Sequence, residues 1–423
     1  MKATLIIKDI DNLITLRGKN KARVKDELRD IGVIHNGIIA LADDKIIYVG
    51  DGNLPHNIAF DEDTVIISGK GKTVTPGLID SHTHLVHGGS REHELAMKLK
   101  GISYLDILAA GGGIHSTVKA TREATFEELY SKAKKSLDIM LSYGVTTVEA
   151  KSGYGIDDFE TELKQLEVAK KLNEDHPVDI VSTFMAAHAV PSKYCDDPDK
   201  FVDIIIEDMI PKVAEKKLAK FCDVFCERGV FSIEQSRRIL LAAKEFGMGL
   251  KLHADEIEPL GGAELAAELG CITADHLVAA SDNGIREMAK RGVIANLLPG
   301  TSFNLQTGKF AKAKKIIEEG VPIAISTDYN PGSCPTENLQ LIMSLASLIM
   351  KLTPEEVISA VTINGAAALG VEEKVGSLEV GKQGDIVIFD APNLEYIIYH
   401  FGINHVDKVI KNGKIVYEKD VTL

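Results

Sequence analysis

Two histidines separated by one residue, His82 and His84 in the run TPGLIDSHTHL, are the first group along the chain with a chemical use. Leu78 to Asp80 reads as a strand, and residues two apart on an extended chain point to the same side. Two imidazoles on one side of a strand end can share a metal ion. Alone, such a pair is more often two polar residues in a loop than a ligand pair. His253 in KLHADE, His276 in ITADHL and Asp328 in PIAISTDYNPG each close a further apolar run. A single histidine after a strand is more often a satisfied structural residue than a ligand. Here the coincidence repeats at several strand ends, which is where barrel enzymes place their chemistry. Nitrogen and carboxylate donors without thiolate suit zinc, iron or manganese. A catalytic ion keeps a position open for water and lowers its pKa toward neutrality.

The elements that must position these residues alternate. GVTTVEAKSG reads as a strand followed by the helix DDFETELKQLEVAKKLNED, and GMGLKLHADE as a strand followed by PLGGAELAAELG. CITADHL, NGIREMAKRG, GVIANLLPG and KKIIEEGVPIAISTDYN continue the pattern. Strand–helix alternation predicts parallel βαβ units. The zone spans about 300 residues, which suits an α/β fold of (β/α)8 TIM-barrel type with inserted loops. A doubly wound open sheet is the alternative, and the spread of reactive residues over many strand ends favours the barrel. Both chain ends read differently. GIIALADDKIIYVG, GKQGDIVIFDAP and HVDKVIKNGKIVYEKD alternate apolar and polar residues, and Asn412-Gly413 is a strong hairpin signal. The expected domains are a composite β-sandwich from 1–71 and 371–423, and a catalytic barrel over 72–370.

The chain has 423 residues, with 48 Lys and Arg against 62 Asp and Glu, a net charge of −14. That balance argues against nucleic-acid or anionic-membrane partners. The N-terminal run has no apolar signal-type core, and the apolar stretch LQLIMSLASLIM is too short to span a bilayer. Five scattered cysteines, an odd number, fit free thiols in a reducing, cytoplasmic setting. Cys222 and Cys226 lack a second pair to complete a zinc cage. The Gly111-Gly112-Gly113 run lacks the Lys-Ser/Thr of a P-loop and reads as a flexible loop.

TPGLIDSHTHL, two later histidines and a late Asp resemble the amidohydrolase superfamily, and the flanking β segments extend the likeness over nearly the whole chain. VEAKSGYGID, FMAAHAVP, LHADEIEPLGGAELAAELG, LPGTSF and STDYNPGSCPTENL narrow it, together with the long run after His87, to a resemblance to the imidazolonepropionase family. The resemblance implies hydrolytic ring opening of 4-imidazolone-5-propanoate to N-formimidoyl-L-glutamate by a metal-activated water, in histidine catabolism. It implies one metal per chain, Zn or Fe, held by His82, His84, His253 and Asp328, with Glu256, His276 and Asp328 catalytic. It also implies substrate contacts from Arg91, Tyr104, Tyr154, His188, Glu256, Asn330, Gly332 and Ser333. A small anionic substrate needs a cation, and Arg91 offers a bidentate fork for a carboxylate. Glu256 would bind the ring N–H groups, or else orient His253. Lys151 occupies the place tempting for a carboxylated lysine bridging two metals, but the resemblance is to a mononuclear branch. A homodimer is common for such barrels. The runner-up activity is a nucleobase or cyclic-amidine deaminase of the same superfamily; a metal-free binding barrel is a distant third.

Overall fold

The computed structural model describes residues 1–102 and 112–419, so Tyr104 and Gly111 lie outside the described residues. Eight strand positions form one parallel sheet. They are Leu78–Asp80, Val145–Lys151, Asp179–Phe184, the short pair Phe221–Cys222 and Phe225–Cys226, Gly249–Ala254, Thr273–His276, Ile294–Leu297 and Ile323–Ile325. Neighbours pair in parallel from first to last, and a parallel bridge between Thr83 and Tyr329 joins the eighth position back to the first. Asp80 secures the same seam, accepting from the Thr327 amide at 2.9 Å and its hydroxyl at 2.6 Å. The expected first strand, Leu78 to Asp80, forms as read.

The connecting helices follow from their sequences. Thr125 and Glu128 cap the start of Phe126–Ser142 reciprocally, as Ser232 and Gln235 do for Ile233–Glu245. The second of these buries Ser236, Ile239, Leu240 and Ala243. That spacing puts one stripe against the sheet. LQLIMSLASLIM forms the buried helix Leu339–Leu348, and among the described residues no helix is long and apolar enough to cross a membrane.

Both chain ends build the second body. A four-stranded sheet contains Leu5–Ile10, Gly37–Ala42, Lys45–Asp51 and Val65–Ser68. A six-stranded sheet contains Asn12–Ile14, Val33–Ile34, Thr73–Pro76, Ile386–Phe389, Val406–Lys411 and Lys414–Glu418. Thr73–Pro76, inside the span expected for the barrel, thus pairs into the terminal sheet. Alternation explains the layering. Ile386 and Ile388 pack with Leu5, Ile7, Ile39 and Leu41 between the two sheets. Their neighbours Val387 and Phe389 belong to the barrel's apolar core. The same strand therefore holds the sandwich with one face and docks it on the barrel with the other.

The Asn412-Gly413 turn forms with both residues at positive φ, 51° and 73°. A Cβ on Gly413 would overlap the Asp43 carbonyl of the opposing hairpin. Gly413→Ala is expected to destabilise the protein by roughly 1–3 kcal/mol. Urea unfolding measures it, and an unchanged midpoint would refute the tight approach.

Candidate functional site

The four expected metal ligands sit at the barrel mouth on three strand positions. His82 and His84 follow the first strand, His253 lies near the end of the fifth, and Asp328 follows the eighth. All four are buried. The rings of His82 and His253 lie 4.6 Å apart, and those of His82 and His84 lie 5.6 Å apart. Asp328 Oδ1 stands 3.4 Å from His82 Nε2 and 3.7 Å from His84 Nε2. His82, His84 and Asp328 offer donor atoms within 4.8 Å of one another, and so do His82, His253 and His276. Buried imidazole nitrogens are ordinarily paired. Yet, among the described residues, His82 Nε2 and both ring nitrogens of His253 have no hydrogen-bond partner. Orphaned nitrogens converging on a carboxylate are the donor set a catalytic zinc or iron ion requires.

The backbone here is strained. His276 and Asp328 both adopt the left-handed region, with φ of 71° and 55°. Such residues cost about 1–3 kcal/mol each and persist where the surroundings over-determine them. Asp328 is held through its amide on the His82 carbonyl (3.0 Å) and by the Thr301 hydroxyl donating to Oδ2 (2.5 Å). Burial raises its carboxyl to about 6. Burial, then the Asp328 charge, raises Glu256 to about 8, and Glu256 Oε2 lies 3.7 Å from His276 Nε2. Burial also holds the imidazole of His84 well below its usual range.

The expected substrate contacts surround this centre. His188 donates from Nδ1 to the Gly153 carbonyl and stacks on His84 at 4.7 Å; burial drives it down to about 3, so the ring is neutral. Tyr154 completes that wall, 5.4 Å from the His188 ring and 5.6 Å from His84. Arg91 reaches the loop after Asp328, with its guanidinium against Gly332. Asn330 is committed to that loop. Its carbonyl oxygen accepts from the amides of Gly332 (2.8 Å) and Ser333 (2.7 Å), and its amide donates to the Asp328 carbonyl and the Ser333 hydroxyl. Its contribution to the mouth is therefore loop shape.

Several carboxylates were missed on sequence. Glu94, one turn after Arg91, binds the guanidinium with both oxygens, at 3.0 and 2.9 Å, and accepts from the Gly113 amide. Glu162 accepts three amides from the Gly153–Ile156 loop, and Asp255 accepts four from Leu260 to Ala263. Both are loop builders beside the site. Asp275 and Asp223 back the histidines: Asp275 Oδ2 lies 2.6 Å from His82 Nδ1, and Asp223 Oδ2 lies 3.0 Å from His253 Nδ1. An acidic residue inside an apolar strand, as in ITADHL and FCDVF, was the available signal. Lys151 is an ammonium among carboxylates. Burial alone would lower it, but Asp223, Glu149 and Asp275 outweigh burial and hold it well above its ordinary range. A carbamate at that place would add a further negative charge to three carboxylates.

Residues 73–416 match the family model described as "Amidohydrolase family". An imidazolonepropionase of Alkaliphilus metalliredigens is 62% identical over 419 residues, covering 99% of both chains. One from Geobacillus sp. (strain WCH70) is 56% identical over 417 residues, 97% of each. Among solved structures, a zinc-bound adenosine deaminase of Xanthomonas campestris aligns with a TM-score of 0.69 at 19% identity, covering 98% of this chain and 93% of that one. A 5-methylcytosine deaminase of Klebsiella pneumoniae aligns at 0.71 and 16% identity, covering 99% of each. These two likenesses carry the fold alone. Full-length identity of this order, together with the family match over residues 73–416, places the chain in the imidazolonepropionase family of the amidohydrolases.

Proposed function

We propose that His82, His84, His253 and Asp328 together hold one metal ion, zinc or iron, and that Arg91, His276 and Glu256 complete the active site around it. The reaction is that of the family, hydrolysis of a cyclic amide C–N bond: 4-imidazolone-5-propanoate becomes N-formimidoyl-L-glutamate in histidine catabolism. The observation that carries the site assignment is the pair of unpartnered buried nitrogens among the described residues, His82 Nε2, 3.4 Å from Asp328 Oδ1, and His253 Nε2, whose ring lies 4.6 Å from that of His82. When bound, such an ion supplies Lewis acidity at the ring carbonyl and acidifies a water.

The protein's own groups do the rest. Asp328, supported by His276, takes the proton of the attacking water. The water oxygen bonds to the ring carbonyl carbon, the ring C–N bond then breaks, and the proton taken up by Asp328 and His276 passes to the leaving amidine nitrogen. Glu256 accepts from the ring N–H groups and fixes the ring's orientation. His188 and Tyr154 wall the ring on the His84 side. Arg91 meets the propionate. Ser333 and Gly332 line the mouth through the loop that Asn330 folds.

Loss of the substrate's ultraviolet absorbance, with formimidoylglutamate formed and about one metal per chain, tests the reading. Ammonia as product would move the assignment to deamination. Chelation is expected to abolish turnover, and added Zn2+ or Fe2+ to restore it. Since a Cβ on Gly332 would overlap the Arg91 guanidinium, Gly332→Ala is expected to lower kcat/KM by about 10- to 100-fold with an unaltered unfolding temperature. Unchanged kinetics would remove Arg91 from the substrate site. Free cysteines and the histidine-catabolic role support a cytoplasmic enzyme. The six-stranded sheet shared by both chain ends supports a β domain built from 1–71 and 371–423, with Thr73–Pro76 joined to it, and a catalytic barrel over the remainder of 72–370.

A further inference from the structure

Beneath the histidines, the barrel interior holds five fully buried charged side chains. Glu149 and Lys151 stand on the second strand, Asp223 follows the fourth, Lys251 lies on the fifth and Asp275 on the sixth. Interiors of such barrels are ordinarily filled by Val, Ile and Leu. Each buried ion costs several kcal/mol before it is paired, and the chemistry above uses none of these five directly.

Lys151 is the centre of the group. Its ammonium donates to Asp223 Oδ2 at 2.6 Å and lies 3.0 Å from Glu149 Oε2 and 3.6 Å from Asp275 Oδ2. The same two aspartate oxygens face the histidines, Asp223 Oδ2 toward His253 Nδ1 and Asp275 Oδ2 toward His82 Nδ1. One cation therefore touches two carboxylates, and each carboxylate backs a different imidazole. Asp223, His253 and Asp275 also place donor atoms within 4.8 Å of one another, close enough to hold a cation. The cation beside them is the chain's own ammonium.

We propose that Lys151 is a positioning residue for the metal centre, a built-in cation that keeps Asp223 and Asp275 turned onto His253 and His82. This rests on the assignment of those two histidines as ligands. A carboxylate held beneath a ring accepts its Nδ1–H and leaves the Nε2 lone pair facing the barrel mouth. Both Nε2 atoms lack a hydrogen-bond partner among the described residues; His82 Nδ1 is bonded to Asp275, while His253 Nδ1 meets Asp223 at ion-pair distance, 3.0 Å, without a formed hydrogen bond. Without the ammonium, two like charges would share one buried space and repel. At least one aspartate would turn away, and its histidine would lose its fixed orientation. Lys251 serves as the internal control. It is equally buried and lies 2.7 Å from Glu149 Oε1, with neither aspartate as an ion-pair partner.

The test measures zinc affinity, using zinc-loaded protein titrated with a chromophoric chelator. Lys151→Met and Lys151→Gln are made in parallel, so that whichever folds gives the result. Each is expected to bind Zn2+ about 10- to 100-fold more weakly. Lys251→Met is expected to match the unsubstituted protein, even where its unfolding temperature falls. A role in stability alone would lower the unfolding temperature of both lysine variants and leave zinc affinity untouched. Unchanged affinity in folded Lys151→Met or Lys151→Gln overturns the proposal. So does an equal loss in Lys251→Met. His253→Ala separates the two levels of the reading. If it too binds Zn2+ normally, the ligand assignment falls, whereas a loss there with none at Lys151 leaves the ligands standing and removes only the lysine.

Discussion

Replacing Asp328 by Asn is expected to lower kcat by about 10²- to 10⁴-fold while the protein stays folded. The fold should survive for two local reasons. Asn tolerates the left-handed backbone that Asp328 adopts at φ 55°. The amide oxygen can also still accept from Thr301, which now donates to Oδ2. The negative charge beside His82 Nε2 and His84 Nε2 is what disappears. An amide neither accepts a proton from water nor balances the charge of a metal ion. Its NH2 group would instead meet the histidine nitrogens. Kinetics, metal content and thermal unfolding should be measured on one preparation. A metal-replete, folded variant with kcat within threefold of the unsubstituted enzyme would exclude Asp328 as the base. His276→Asn, measured beside it, apportions the proton transfer between the two.

The second large effect is expected at Arg91. Its guanidinium is nearly buried and holds both oxygens of the buried Glu94. Arg91→Ala removes the cation offered to the propionate and also takes from the buried Glu94 its guanidinium partner, leaving it the Gly113 amide. Truncating one partner of such a pair costs about 2–5 kcal/mol. At 1.4 kcal/mol per factor of ten, kcat/KM should fall by at least about 10-fold and by as much as 10³-fold. Arg91→Lys should recover only part of this, because a lysine cannot reproduce the two-oxygen fork with Glu94. The loss should fall mainly on KM for the propionate substrate. Competitive inhibition by a ring analogue lacking the carboxylate should be nearly unaffected. Equal weakening of the charged and uncharged ligands would mean that Arg91 supports the loop at 330–333 and does not recognise the carboxylate.

The residues proposed to carry the chemistry could be picked out because each closes an apolar run. His82, His84, His253, His276 and Asp328 stand where strand patterning stops, and a parallel barrel gathers such positions at one mouth. The strands and helices around them were legible for the same reason, since period two and period 3.6 are local properties of the chain. The Asn412-Gly413 hairpin was written in two residues.

What stayed hidden depends on residues distant in sequence that meet only after folding. Nothing near Lys151 announces that its ammonium reaches Asp223, 72 residues on. Nor does SHTHL show that His82 rests on Asp275, 193 residues away. The sequence shows Arg91 as a free fork, while the folded chain gives that fork first to Glu94 and sets it against Gly332. Asn330 reads as a ligand-facing amide until the turn it closes is seen. The sequence by itself determined the barrel, the composite β domain and the reactive residue types, because patterning and motif are local. The tertiary structure alone decided which carboxylate pairs with which cation and which nitrogen is left facing the mouth. Those are set by distances of a few ångströms between strands, where the absence of water makes each pairing count.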